Sequence, residues 1–523
     1  MSGMFEQKSD KATRKLERTQ KEEQARKKSR IRIIVIISVL LVVTTLAILV
    51  NSNFIRRTLP VITIDSVSFS TTEFEYFFNS EYFEYTNFMS QFQGFGAVPD
   101  TNRPLASQIQ DFATGATWAD FFYDSTISRM GTLATLYTAA KEAGFELTQQ
   151  QLDEIDDELE MYGFQAMFSG FPNLDSLLQH LYGSSMNQRT FRSILEFVTL
   201  AGAYNEHVRE SFTFSEDELI GHYNENRDEL DVINYRQFIV YVDFEALEGI
   251  EDDEEFEEAI YEAAIATRTE AESIAAGITN EDDFITAARN YSEINSDPDS
   301  TLRMNQAGRL DADIGPWLLH ESRRAGDFIV IDTEQGSSIN LFISRDDNSY
   351  PTVGMRQLLF LREQVQAADF PAGENDPAYI AALEHADNEL RERAEYVHSL
   401  FIAAGGTEDA LISLIDEHSD DNTEGGYYSD IAKFPYQSGY LNVMKVVPEI
   451  EDWLFAPGRN IGDSELVYTS DFGYHLLYFT GFGRQLNEMI AEDRLRTQEH
   501  NAWMSTQTHS HPVRHFAFIL VHM

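Results

Sequence analysis

The sequence predicts an α+β chain of several domains: an N-terminal membrane helix, a mostly helical domain, and two related β/α modules. Three observations predict it. Residues 33–50 form an uncharged apolar run, hydrophobic spacing is helical as far as about residue 230, and the β/α stretch that follows contains an internal repeat. At 523 residues the chain exceeds what one core normally organises, and 43% hydrophobic residues are enough to fold it despite a net charge of −48.

Residues 1–32 carry 11 Lys/Arg against 5 Asp/Glu and read as a basic leader. The run that follows, 33–50, is long enough to cross a hydrocarbon core of ~30 Å at 1.5 Å per residue. The basic flank places the leader in the cytoplasm and everything after about residue 57 outside, although Arg56 and Arg57 follow closely on the far side. A cleaved signal peptide is the rival reading. The leader is long for one, and residues 48–55 offer no small-x-small cleavage site, so an uncleaved single-pass anchor is expected.

Beyond Arg32 the balance is 28 basic against 82 acidic residues, and the only lysines there are Lys141, Lys433 and Lys445. A field of that sign excludes nucleic acid and anionic surfaces as partners. With no cysteine, disulfides, thiol catalysis and thiolate metal sites are excluded as well. His509, His511 and His515 read as a tail rather than a metal site, and no cofactor motif is present.

Region 58–230 opens with two short strands between residues 61 and 69, then a capping box of Ser70 and Glu73. Its helices are expected from Ser70, from near Trp118 to Gly144, from Thr148 with Gln151, over 174–182 and 187–209, and from Ser215 with Glu218. Aromatics from Phe74 through Phe122 to Phe164 and Phe171 make either a dense core or an apolar cradle for unfolded chains. The period then changes. Tyr235-Arg-Gln-Phe-Ile-Val recurs as Met355-Arg-Gln-Leu-Leu-Phe, and Trp317-Leu318, Arg323, Gly326 and Asp327 recur as Trp453-Leu454, Arg459, Gly462 and Asp463. Modules at 231–350 and 351–484 follow, then a tail at 485–523 with an apolar strand, Phe516 to Val521, expected to pair with an earlier domain.

Several of these features occur together in one family. The leader, anchor and helical region resemble SurA/PrsA-like exported foldases, and the modules resemble parvulin-type peptidyl-prolyl isomerase domains. In that family a module runs from a strand with a central His, through a Ser-x-Asp segment and a double Gly, to a Gly-x-His strand. The second module matches in order with Met355 to Leu361, Ser419-Asp420-Asp421, Gly425-Gly426 and Gly473-Tyr474-His475. It departs at Gln357, which stands where the first-strand histidine belongs. The first module departs further, with Gln237, Ile294 and Ser338 near the three site positions.

The resemblance implies a foldase acting on newly exported or unfolded polypeptides with X-Pro bonds, without a cofactor or metal. It assigns Asp421 and His475 to catalysis, Gln357 to a weakened orienting role, and Tyr428, Val446, Ile450 and Phe455 to the proline socket. Read alone, Asp421 is a solvated turn residue and His475 a satisfied core residue; their joint place in the pattern points to function. The rival is a chaperone or scaffold without catalysis, its modules serving as binding surfaces.

Overall fold

Capping side chains start the helices in the first part of the chain. The Ser70 amide donates to Glu73 at 2.6 Å and the Glu73 amide returns to Ser70 Oγ, opening α1 (Thr71–Ser90). Reciprocal boxes of Thr117 with Asp120 and Thr148 with Gln151 open α2 (Trp118–Glu142) and α3 (Gln149–Phe168). Asn173 and Asn187 cap α4 (Leu174–Tyr182) and α5 (Gln188–Ser211). Each cap satisfies amide donors that the first helical turn leaves without a partner.

The computed structural model describes residues 27, 33–44, 53–64, 66–90, 98–244, 247, 250, 252–295, 297–433, 446–508 and 513–515. The chain divides into two compact units, Met1–Phe212 with Glu499–Met523, and Thr213–Gln498. Residues 33–44 are helical, whereas 45–52, which include the rest of the expected span, lie outside the described residues. Among the described residues no helix is long and apolar enough to cross a membrane.

In the first unit, β1 (Pro60–Ile64) pairs antiparallel with β2 (Val67–Ser70) and, on its other edge, with the strand Val513–His515. The expected strand Phe516 to Val521 lies outside the described residues, as do His509 and His511. Phe74, Phe77, Phe122 and Phe191 are each 0–1% exposed, so the aromatic stripes of α1, α2 and α5 make a dense core there. The end of α3 differs. Met161, Phe164, Met167 and Phe168 are 53–83% exposed, and Phe171 is half-buried against His180.

Helical structure continues to Leu230, while the division between the compact units falls at Phe212. The helix α6 (Glu216–Glu225) opens on the Ser215–Glu218 box but packs Leu219 and Tyr223 against Leu230, Val232, Leu486 and Ile490 of the second unit. Apolar contact decides the boundary, and a cap carries no information about it.

The repeat appears as two sheets of the same plan. In the first module, β3 (Val232–Tyr241), α7 (Asp253–Ala275), α8 (Glu281–Tyr291), β4 (Leu302–Gln306), α9 (Gly315–Leu318), β5 (Phe328–Thr333) and β6 (Gly336–Asp346) give strand order β4-β3-β6-β5. In the second, β7 (Pro351–Leu361), α10 (Pro377–Ala403), α11 (Glu408–His418), β8 (Tyr427–Ile431), α12 (Pro448–Leu454), β9 (Ser464–Thr469) and β10 (Gly473–Gln485) give order β8-β7-β10-β9. The central pairs share a register: Gln237 faces Asn340 as Gln357 faces Leu477, and Ile239 faces Ser338 as Leu359 faces His475. The helix α13 (Leu486–Thr508) follows, placing Leu486, Ile490 and Ala491 in the core of the second unit.

Local bonding repeats too. The Gly326 amide donates to the Phe342 carbonyl at 2.9 Å, and the Gly462 amide to the Phe479 carbonyl at 2.9 Å. The Arg323 guanidinium lies 4.5 Å above the Trp317 ring and that of Arg459 lies 4.0 Å above Trp453. Arg459 also donates to the Trp453 carbonyl from two nitrogens. This Trp-Arg-Gly-Asp spacing folds the chain back onto the last strand, which explains its recurrence.

The fragment Thr213–Gln498 is expected to fold by itself with a cooperative denaturant transition. In it, Arg459→Ala should cost about 1–3 kcal/mol, from lost ring and carbonyl contacts. A non-cooperative fragment, or an unchanged midpoint in the variant, would contradict this account.

Candidate active site

Strand alternation sorts the second module. Leu358 and Phe360 of β7 pack with Leu476 and Tyr478 of β10 under α10 and α11. Val353 and Met355 pack with Leu477 and Phe479 under α12. By the period of two, Gln357 and His475 belong to the α12 face, at its end. They are diagonal neighbours, since Gln357 is paired with Leu477 and His475 with Leu359.

Two glycines of the motif are required by close approach. At Gly426 (φ +56°) a Cβ would overlap the Gln357 carbonyl, and at Gly473 (φ +125°) it would overlap the Phe360 carbonyl. The loop after α11 is sewn to β7 by the Asp420 amide on the Leu359 carbonyl (2.8 Å) and the Leu359 amide on Ser419 Oγ (3.1 Å). Ser419 Oγ also accepts from the Asp421 amide at 3.1 Å. Asp420 turns to Arg393 and the Leu361 amide, while Asp421 turns to Gln357.

The result is one hydrogen-bonded run. Asp421 Oδ2 accepts from Gln357 Nε2 at 3.2 Å, and Gln357 Oε1 lies 2.9 Å from His475 Nδ1. His475 Nε2 lies 2.9 Å from Thr469 Oγ1. An ionised carboxylate only accepts, so the glutamine amide must donate to it and present its oxygen to the imidazole. Nδ1 of His475 therefore carries the proton, and Nε2 accepts from Thr469. His475 is 3% exposed, and burial lowers its pKa to about 4, against the opposing pull of Asp421.

Asp421 has further donors. Its Oδ1 accepts from the Thr423 amide (3.0 Å) and the Thr423 hydroxyl (2.9 Å), and its Oδ2 from the Tyr428 hydroxyl. Partial burial raises its pKa, but these bonds with that of Gln357 outweigh burial and hold it below the ordinary value. Tyr428 is pushed up to about 12 by burial and by its bond to the carboxylate.

The expected socket residues divide. Tyr428 lies opposite Met355 and directs its hydroxyl to Asp421, joining the polar run. Val446 and Ile450, 7% and 3% exposed, belong to the apolar core beneath α12. Phe455 caps the end of α12 and meets Tyr350 at 5.7 Å between ring centroids, with Lys433 above it. Residues 434–445, which precede Val446, lie outside the described residues. A cavity of about 800 Å³ lined by Leu361, Arg362, Asp420 and Phe472 opens nearby, and the Phe472 ring lies 6.4 Å from that of His475.

In the first module Gln237 donates to Asn340, and Asn340 to Ser338, whereas Ile294 is 84% exposed and away from any such run. No carboxylate enters that bonding. Sequence reading missed Thr423 and Thr469. Both had a signal: Thr423 stands two residues after Asp421, and Thr333 before Gly336 repeats the position of Thr469 before Gly473. Among the described residues no group of His, Asp and Glu is arranged to hold a metal ion.

His475 should remain a neutral Nδ1–H imidazole from pH 7 to pH 5, read from its ring nitrogen shifts by NMR. Its lowered pKa also means stability present above about pH 6.5 and lost as the pH falls toward about 4. A titration near pH 6.5 would show that the ring is solvated rather than held.

No family model matches the chain, and no curated protein matches it. Among solved structures it is similar to the peptidylprolyl isomerase PrsA from Bacillus anthracis, at 13% identity over 42% of this chain and 79% of that one, with a TM-score of 0.20. It is also similar to PrsA from Bacillus subtilis, at 12% identity over 53% of this chain and 88% of that one, with a TM-score of 0.13. At such TM-scores neither likeness bears on how this chain acts.

Proposed function

We propose that the chain is a membrane-tethered foldase acting outside the cytoplasm, whose second module isomerises X-Pro bonds and whose helical unit holds unfolded polypeptide. The observation that carries this reading is the run from Thr469 through His475 and Gln357 to Asp421. The module pattern of the sequence supports it. The anchor and the orientation rest on the basic leader and the apolar run.

Rotation about an amide must lose resonance against a barrier of ~18–20 kcal/mol, and for X-Pro the two isomers lie close in energy. No nucleophile or metal is required. A site accelerates the rotation by favouring the twisted amide, whose charge distribution differs from the planar one, over the ground state. Asp421 supplies a fixed negative charge held by four donors, so little reorganisation is needed when the substrate twists. His475, neutral and buried, positions Gln357, and Gln357 positions the carboxylate.

A non-catalytic chaperone is the second reading, and the burial of Val446 and Ile450 favours it, because core residues give a proline ring no open socket. In either case the exposed end of α3, where Phe164 and Met167 line a cavity of about 470 Å³ and Met161 and Phe168 are also exposed, suits apolar segments of an unfolded chain.

A protease-coupled assay of residues 58–523 on proline peptides should show turnover. Asp421→Ala should lower kcat/KM on the order of 100-fold, and Gln237→Ala in the first module should leave it unchanged. Absence of turnover in the wild-type protein, with aggregation suppression retained, would select the second reading. Phe164→Asp with Met167→Asp should weaken suppression while isomerisation persists; unaltered suppression would remove α3 from client binding. Protease added to intact spheroplasts should release the chain beyond about residue 57, and complete protection would refute the tethered orientation.

A further inference from the structure

One side chain at the site has the wrong chemistry for the position it was expected to fill. An apolar socket calls for a hydrocarbon surface, yet Tyr428 brings a hydroxyl to Asp421 Oδ2 and lies 2.7 Å from the Thr423 hydroxyl. Thr423 itself donates amide and hydroxyl to Oδ1. The carboxylate is therefore gripped on both oxygens: Thr423 of the loop holds Oδ1, and Tyr428 of β8 shares Oδ2 with Gln357 of β7.

We propose that Tyr428 is a positioning residue of the second module: its hydroxyl clamps Asp421 at the oxygen it shares with Gln357, while the amide and hydroxyl of Thr423 hold the other oxygen. The proposal rests on the isomerase reading only for its effect on turnover; the clamp itself is a statement about Asp421. Its logic follows from what a glutamine lacks. A second imidazole could carry a positive charge toward the carboxylate, whereas the Gln357 amide offers one neutral donor. A phenol bound to a carboxylate makes a short, charge-assisted bond, roughly twice as strong as a neutral one.

The geometry leaves few competitors for control of Asp421. The titratable groups around it are Tyr428 on β8 and His475 on β10, the latter reaching it only through Gln357. Its neighbour Asp420 is engaged with Arg393 and the Leu361 amide. Arg356 of β7 is committed to Glu408 and the Gly425 carbonyl. The direction of the Asp421 pKa, held down by its donors against burial, agrees with a clamp that favours the charged form.

The test pairs two readouts on the full chain. Carboxyl 13C titration by NMR should show Asp421 ionising below the ordinary range in the wild type. In Tyr428→Phe its midpoint should rise by about one pH unit, as expected for the loss of one strong donor. The acid limb of kcat/KM should move by the same interval. Thr423→Val should raise the midpoint less, and Thr423→Ser, which keeps the hydroxyl, should restore it.

An unmoved Asp421 midpoint in Tyr428→Phe overturns the proposal, whatever the turnover. A moved midpoint with an unmoved acid limb also overturns it, because the clamp would then be structural only. If the wild type has no turnover but the midpoint moves, the clamp stands and the isomerase reading fails. Should Tyr428→Phe not fold, the Thr423→Val and Thr423→Ser pair decides: equal midpoints refute the clamp.

Discussion

Register between β7 and β10 is the constraint on which the site depends. Side chains alternate with a period of two, so a slip of β10 by one residue would send His475 to the face packed by α10 and α11, away from Gln357. It would also drive Leu476 out of that core. The cost of burying an uncompensated imidazole there, together with exposing large aliphatic groups, makes the observed pairing the one the chain can hold. The glycines enforce the same choice from the backbone. Gly473 lets β10 begin against the Phe360 carbonyl, and Gly426 lets the loop reach the Gln357 carbonyl, so both approaches are set before any polar contact forms.

The first module shows what this scaffold becomes without a charge to organise. It keeps the strand order, the register and the Trp-Arg-Gly-Asp fold-back, and Gly336 meets the Val240 carbonyl as Gly473 meets that of Phe360. At the positions of Gln357 and His475 it has Gln237 and Ser338, and Asn340 bonds to both. Neutral amides and hydroxyls can be buried at modest cost once paired. They supply no field. The same fold can thus hold a neutral polar interior in one copy and a charged one in the other.

Much of this was legible because it is written in short, local patterns. Ser70-Glu73, Thr148-Gln151 and Ser215-Glu218 marked helix starts, since a cap needs only residues three apart. The offset between Gln237 and Gln357 carried the register. Legibility ended where position depends on the far end of a long side chain. Tyr428 lies on the predicted face, but its hydroxyl passes the apolar layer to reach Asp421. Phe455, grouped with Ile450, does pack against the same cluster, but it follows the last turn of α12 and its ring also meets Tyr350. The membership of α6 was illegible for another reason: its capping box sets where it begins and leaves its packing partner to distant residues such as Leu486 and Ile490.

An amide at position 357 gives the run a character that an imidazole there would not. An imidazole can donate or accept at either nitrogen and can take up a proton, so a pair of them has several tautomeric arrangements. Gln357 has one donor end and one acceptor end, and the carboxylate at Asp421 dictates which is which. Polarity then propagates: the amide oxygen demands Nδ1–H on His475, and the free Nε2 demands the hydroxyl proton of Thr469. A single ionised group thereby fixes every proton along four residues. Since His475 is held neutral by burial, that arrangement persists as the pH falls from neutrality until it nears about 4. The molecule carries a net charge of −48, yet the interior of its second module is organised by one of those charges.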